Sequence, residues 1–219
     1  MDKAKLRITE MQVKKTIENL KKNNIQAYFV HSRSEVAGKV AELINEGDTV
    51  AVGGSVTLFE TGVIDLLRSG KYNFIDRYAQ GVDTRQIFLD SFSADVYFAS
   101  SNAVTMKGEL YNVDGNSNRV AAILYGPESV ILVVGCNKIV PDLKSAVRYV
   151  KQISAPANAV RLDSKTYCAS AGVCQGIDDD NMTSGCGGNS RICCNYVVCA
   201  RQRVPGRIKV ILVGEPCGY

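Results

Sequence analysis

The sequence predicts an α/β fold: one layered domain with a mostly parallel central sheet and helices on both faces. Three observations predict it. Short β-branched apolar runs, TVAV (49–52), SVILVV (129–134) and RIKVILV (207–213), read as strands buried on both sides. Stretches with apolar residues three or four apart alternate with them, as amphipathic helices do. Polar residues gather just after the runs, where an open α/β sheet places its ligand crevice, at the carboxyl ends of its strands.

Each element has its own signal. Leu6, Val13, Ile17 and Leu20 share one helical face with lysines opposite, giving an N-terminal amphipathic helix within residues 1–24. IQAYFV (25–30) is a buried strand, followed by His31. With a single histidine in the chain, a histidine-rich metal site is excluded. Ser34 to Ile44 reads as a helix, with Val36, Val40, Leu43 and Ile44 inward and an end near Gly47. The TVAV strand runs into Gly53-Gly54-Ser55-Val56-Thr57, and a helix continues through Leu67. Arg85 to Phe92 is a further helix and Val96 to Ala99 a further strand. Lys107-Gly108 and Asp114-Gly115 are turn dipeptides, since glycine takes positive φ without steric cost. Between them Glu109 to Val113 alternates in polarity, so a β-hairpin followed by a polar loop is expected. Pro141 suits the first turn of a helix whose apolar face is Leu143, Ala146, Val147, Val150 and Ile153.

Composition bounds the function. At 219 residues, 46% hydrophobic and 22% charged, the chain is of globular type with one sizeable core. No apolar run reaches the length of a membrane span, and MDKAKLRITEMQVKK lacks the apolar core of a signal peptide, so a cytoplasmic location is expected. The net charge of +4 resides in residues 1–24, which hold seven Lys/Arg against three Asp/Glu, a pattern that suits a solvated helix face. Without Trp or basic-aromatic interleaving, nucleic-acid binding is disfavoured. No dinucleotide fingerprint is present.

Two segments carry candidate chemistry. In the first, strand, glycine pair, hydroxyls and helix start expose backbone N–H groups to an anion. Gly53 and Gly54 permit close approach, and Ser55 and Thr57 add hydroxyl donors. Thr57 and Glu60 stand at capping-box spacing, so they either contact a ligand or satisfy the helix's own amides. The second segment sets Asn102, Thr105, Asn112, Asp114, Asn118 and Arg119 close together between apolar runs. Asn137 and Lys138 follow the SVILVV strand. Arg119 and Lys138 would bind an anion by charge-assisted hydrogen bonds, with Asp114 as general acid or base. The competing reading makes Asp114 a turn residue bonded to its own backbone, or the partner of Arg119 in a structural ion pair.

Together, GGSVTLFETG (53–62), NAVTMKGELYNVDGNSNRVAA (102–122), GPESVILVVGCNKIVPDLKSAV (126–147), APANAVRL (155–162) and RICCNY (191–196) resemble the LUD domain. The resemblance covers nearly the whole chain, residues 1–219, in family order. It implies a single Rossmann-like α/β domain of the NagB/RpiA/CoA-transferase-like class. The family includes lactate-utilisation protein C, which works with iron–sulfur partner proteins in oxidising L-lactate to pyruvate. By that resemblance the chain is a subunit of such a system, binding a small anionic metabolite. The alternatives are a stand-alone enzyme on a sugar phosphate or CoA-linked acid, and a non-catalytic metabolite sensor. Whether the chain forms a homo-oligomer stays open.

A cysteine-rich excursion (163–206) departs from the family pattern. Tyr167 stands where a proline is common, 176–185 looks like added length, and Cys194 forms a Cys-Cys pair before Asn195. Six of the eight cysteines lie between 168 and 199. Cys168, Cys174, Cys186 and Cys193 can supply a tetrahedral sulfur set for zinc or an iron–sulfur centre, or pack a long loop as reduced thiols. Asp178-Asp179-Asp180 reads as a solvated tip.

Overall fold

The computed structural model describes residues 3–179 and 181–219. Its strands are β1 (Gln26–Val30), β2 (Thr49–Val52), β3 (Asn73–Ile75), β4 (Val96–Ala99), β5 (Ala103–Thr105), β6 (Leu110–Asp114), β7 (Ser129–Gly135), β8 (Ile139–Val140), β9 (Asn195–Cys199) and β10 (Ile208–Val213). Its α-helices are α1 (Lys3–Lys22), α2 (Val36–Ala41), α3 (Val56–Glu60), α4 (Val63–Leu67), α5 (Thr84–Asp90), α6 (Asn118–Leu124), α7 (Leu143–Tyr149), α8 (Ala155–Arg161) and α9 (Tyr167–Ala171). Six strands form an all-parallel sheet in the order β1-β10-β7-β4-β2-β3.

The sheet is covered on both faces because successive strand residues point to opposite sides. Val130, Leu132 and Val134 of β7 join Val210 and Leu212 of β10 in a core closed by Val13 and Leu20 of α1 and Ile123 of α6. Ile131, Val133, Ile211 and Val213 face the other way, onto Val36 and Val40 of α2, Leu58 of α3 and Val63, Ile64 and Leu67 of α4. Burying both faces explains why β7 and β10 read as continuous apolar runs.

A second, mixed sheet in the order β8-β5-β6-β9 packs beside the first. Its β5–β6 pair is the hairpin expected from sequence, with Gly108 at φ +86° in the turn. The last helical turn of α1 lies on that turn: Asn19 Nδ2 donates to the Met106 carbonyl (2.8 Å), and Asn23 Nδ2 to the Gly108 carbonyl (3.1 Å). A Cβ on Gly108 would stand 2.5 Å from the Asn19 carbonyl carbon. Gly108→Ala, strained in φ and blocked by backbone, is therefore expected to cost about 1–3 kcal/mol. The lowered midpoint of a denaturant titration would measure it.

Several expectations need correction. The helix from Thr57 to Leu67 is two, α3 and α4, because Gly62 takes φ +69° between them. The helix from Ser34 to Ile44 shortens to a 3-10 turn (Arg33–Glu35) and α2, and a tight Leu43 N to Val40 carbonyl bond closes its end. Leu6 is 42% exposed, so only the second half of α1 is buried against the sheet. Pro141 precedes the helix, whose N-cap is Asp142, its carboxylate accepting from Ser145 N. After Asp114 it is Ser117, not Gly115, that takes positive φ (63°). The cysteine-rich excursion is no mere loop: its β9 completes the second sheet by pairing with all five residues of β6. Asp178 and Asp179 are exposed, and Asp180 lies outside the described residues.

From Leu143 to Arg161 the chain is one helical rod, but Val150–Ser154 in its middle is a π-helical turn. Lys151 of that turn is buried, and its ammonium donates to the carbonyls of Gly176 (2.6 Å) and Asp179 (3.1 Å), which anchors the excursion.

Candidate functional site

The four inner strands of the parallel sheet, β10, β7, β4 and β2, deliver polar residues at their carboxyl ends. Gly54 and Ser55 follow β2, Ser100 and Ser101 follow β4, Lys138 follows β7, and Gly218 and Tyr219 lie beyond β10. With Asn102, Asp114 and Arg119 from the second sheet and α6, and Ser154, Asn158 and Arg161 from the helical rod, they line a cleft of about 110 Å³. The glycine loop and the asparagine-rich hairpin thus meet in space.

Lys138 is the charge at its floor. It is only 2% exposed, and Nζ donates to Thr57 Oγ1 (3.1 Å) and Ser100 Oγ (3.0 Å). An ammonium has three protons to donate, and no carboxylate pairs with this one among the described residues. Burial depresses its pKa to about 8, with Arg119 adding a smaller push the same way. The neighbouring Cys217 thiol is no counter-ion, since burial pushes it up to about 12. Lining the same cleft are three hydroxyls that are buried and without a partner among the described residues: Ser55 Oγ, Ser154 Oγ and Tyr219 Oη. Ser154 is 1% exposed. Buried hydroxyls are ordinarily hydrogen-bonded, so three orphans around one buried cation mark a place built for a polar guest.

Arg119 organises the wall. Its Nε donates to Asp114 Oδ1 (3.0 Å), Nη1 to Ser100 O and Asn112 Oδ1, and Nη2 to Asn102 Oδ1 and Val113 O. All five donors are used within the protein, so Arg119 offers a ligand its charge rather than its hydrogens. Asp114 is equally engaged: Oδ1 pairs with Arg119 and Oδ2 accepts from Val120 N (2.9 Å), capping α6. Asp114 is thus the partner of Arg119 in a structural ion pair, and the general acid or base expected of it has no free oxygen here.

Other expected site residues sit elsewhere or serve the scaffold. The Gly53 amide is taken by the Phe98 carbonyl (2.8 Å), and the residue is glycine because a Cβ would stand 2.9 Å from Arg119 Cγ and from Tyr97 Oη. Thr105 faces the hairpin turn and bonds Glu109. Asn112 is buried and holds Arg119, and Asn118 lies on the outer rim. Asn137 and Glu60 clamp the chain after β10: Asn137 Nδ2 donates to Gly218 O, its Oδ1 accepts from Cys217 N, and Glu60 accepts from Gly218 N (2.8 Å). Glu60 therefore does not form a capping box with Thr57, whose hydroxyl instead reaches Cys217 O (3.3 Å). His31 packs edge-on against Phe29.

The cysteines behave as free thiols. Burial raises the pKa of Cys168, and Cys186, Cys193 and Cys174 lie near enough to add to that rise. Among the described residues, however, no three His, Cys, Asp or Glu side chains are grouped so that they could hold a metal ion. No helix among them is long and apolar enough to cross a membrane.

Ser100, Ser101, Ser154, Asn158, Arg161, Gly218 and Tyr219 were not among the residues expected from sequence. Ser100-Ser101 directly follows the VYFA strand, the same strand-end signal that pointed to Gly53 and Lys138. Asn158 and Arg161 are one helical turn apart within APANAVRL, so they share a face.

The solved structures similar to this chain include a DUF162 family protein of Deinococcus radiodurans, 18% identical with a TM-score of 0.48, covering 95% of this chain and 98% of that one. Ribose 5-phosphate isomerase of Plasmodium falciparum is 13% identical with a TM-score of 0.35 and 80% coverage of each chain. The delta subunit of eIF2B from Chaetomium thermophilum is 19% identical with a TM-score of 0.36, over 51% of this chain and 49% of that one. No curated protein matches the chain. The family model described as the LUD domain matches residues 13–213, nearly the whole α/β domain. The chain belongs to the LUD domain family.

Proposed function

We propose that the cleft binds a small organic acid and that the chain serves lactate utilisation, as a subunit that holds the acid while iron–sulfur partner proteins carry the electrons from L-lactate oxidation. Membership of the LUD domain family supports the pathway, and Lys138 supports the ligand class. An unpaired buried ammonium is costly, and the bound acid's carboxylate would offset that cost with a charge-assisted hydrogen bond. The orphan hydroxyls of Ser55, Ser154 and Tyr219 would fix the acid's remaining oxygens. At about 110 Å³ the cleft has room for several water-sized groups, which suits a three-carbon acid.

Binding should follow the protonation of Lys138. Its ammonium form binds the anion, so affinity is expected to be flat below about pH 8 and to fall roughly tenfold per unit above it. Isothermal titration of the purified chain with L-lactate and pyruvate at pH 7 and pH 9.5 measures this. Heats absent at both pH values, or equal affinities at the two, would refute the reading. Lactate-dependent reduction of added iron–sulfur partners would then test the subunit role.

A further inference from the structure

The cleft opens outward into a larger basin of about 400 Å³, and Gly54, Asp114, Arg119, Asn158 and Arg161 line both. Three further features of the basin stand out. Arg77 lies at its rim beside Gly54, stacked over the Phe88 ring (4.9 Å), and forms no hydrogen bond or ion pair among the described residues. Arg161 holds Asn158 Oδ1 with Nε (3.1 Å) and Nη2 (2.7 Å), and its guanidinium lies beside the Tyr219 hydroxyl with no carboxylate partner among the described residues. Arg191 is fixed by hydrogen bonds to the carbonyls of Met182, Thr183 and Cys193 and to the Tyr196 hydroxyl, so among the described residues its charge is held in place without a carboxylate. Among the described residues Asp114 is the only carboxylate lining the basin, and Arg119 and Val120 N already engage both its oxygens.

Three arginines held around one basin repel each other, and solvent-facing arginines usually relieve that by pairing with Asp or Glu. Here none of the three has a carboxylate partner among the described residues. Their chemistry also differs from that of the inner cleft. Lysine and hydroxyls below suit a carboxylate and its neighbouring oxygen, whereas planar guanidinium forks suit the tetrahedral oxygens of a phosphoryl group.

We infer that the acid this site binds best is a phosphorylated short organic acid, its carboxylate on Lys138 and its phosphoryl group in the Arg77, Arg161 and Arg191 basin, whereas lactate fills the inner cleft alone. This rests on the reading of the cleft as a carboxylate site and goes beyond its lactate assignment.

The test is a matched series on the full chain at pH 7 by isothermal titration: L-lactate, D-glycerate, 3-phospho-D-glycerate and the dicarboxylate L-malate. The phosphorylated acid is expected to bind roughly tenfold or more tightly than glycerate. Arg77→Ala should remove most of that advantage and Arg77→Lys only part of it, with unchanged thermal melts showing that both variants fold. If glycerate and lactate bind but phosphoglycerate binds no better, or malate binds as well as phosphoglycerate, the phosphoryl assignment fails and the acid-binding reading stands. If none of the four binds, both fail together. Retention of the full advantage in Arg77→Ala would also overturn the inference.

Discussion

Replacing Lys138 by methionine is expected to abolish binding of organic acids and, at the same time, to make the protein more stable. The two effects share one cause. Burial lowers the pKa of Lys138 from 10.5 to about 8, so at pH 7 the folded state carries an ammonium that water would solvate better. The unfolded chain keeps its proton up to pH 10.5 and the folded chain only to about 8. This residue's penalty is therefore complete below pH 8 and disappears as pH rises towards 10.5. Methionine fills a similar volume without the charge. It gives up the hydrogen bonds to Thr57 and Ser100, but both hydroxyls also donate to backbone carbonyls, Cys217 O and Ser101 O. A net gain of about 1–3 kcal/mol follows, and several degrees in Tm. Calorimetry and titration on one sample check both halves. A variant that loses binding and also melts lower would make Lys138 a structural cation, and the cleft would lose its claim to a ligand. The trade of stability for a site is a common one.

The second large effect is structural. Arg119→Met is expected to cost about 3–5 kcal/mol, because it leaves a buried carboxylate and several buried carbonyl oxygens without their donor. Asp114 and Arg119 are only about one-tenth exposed (11% and 10%), so water cannot replace the lost partner. The side chain also ties Asn112 of β6, in the second sheet, and Asn102, just before β5, to Ser100 after β4, so the two sheets would loosen together. Removing the stranded charge as well, in Arg119→Met with Asp114→Asn, should recover part of the loss, as expected for directly coupled residues. Denaturant unfolding of the two single variants and the double variant closes the cycle. If the losses simply add, Arg119 is not the organiser of this wall.

Much of the parallel sheet was legible in the sequence. TVAV, VYFA, SVILVV and RIKVILV are continuous because both of their faces are buried, and the order of polar residues after them announced the cleft. β3 and β8 were not legible. They are three and two residues long, too short for any periodicity to show. β9 was hidden by the cysteines around it, whose spacing suggested chemistry while its backbone was pairing with β6. The site split along the same line. Lys138, Ser55 and Gly54 follow strand ends, and a local signal found them. Gly53, Asn112 and Asn137 carry the same polar or flexible character, yet they serve packing and tethering. Only the close approach of Arg119 to Gly53, or of Cys217 to Asn137, separates the two roles, and those approaches are tertiary. Tyr219 and Gly218 lie at the cleft because Glu60, Asn137 and Thr57 fold the chain back after β10, across long separations no local pattern encodes.

The wide turn at Val150–Ser154 has a consequence for what this rod can tolerate. A π turn spends one more residue than an α turn on the same advance. Everything C-terminal to it is therefore indexed about 100° around the axis from where an unbroken α-helix would put it. Asn158 and Arg161 owe their aim into the cleft to that offset, and Ser154 closes the turn that makes it. One residue lost there would leave a straighter and better-bonded rod, with its polar side chains swung away from the opening. The sequence at this point works as a phase adjuster: it fixes direction, and regularity of the helix is what it gives up.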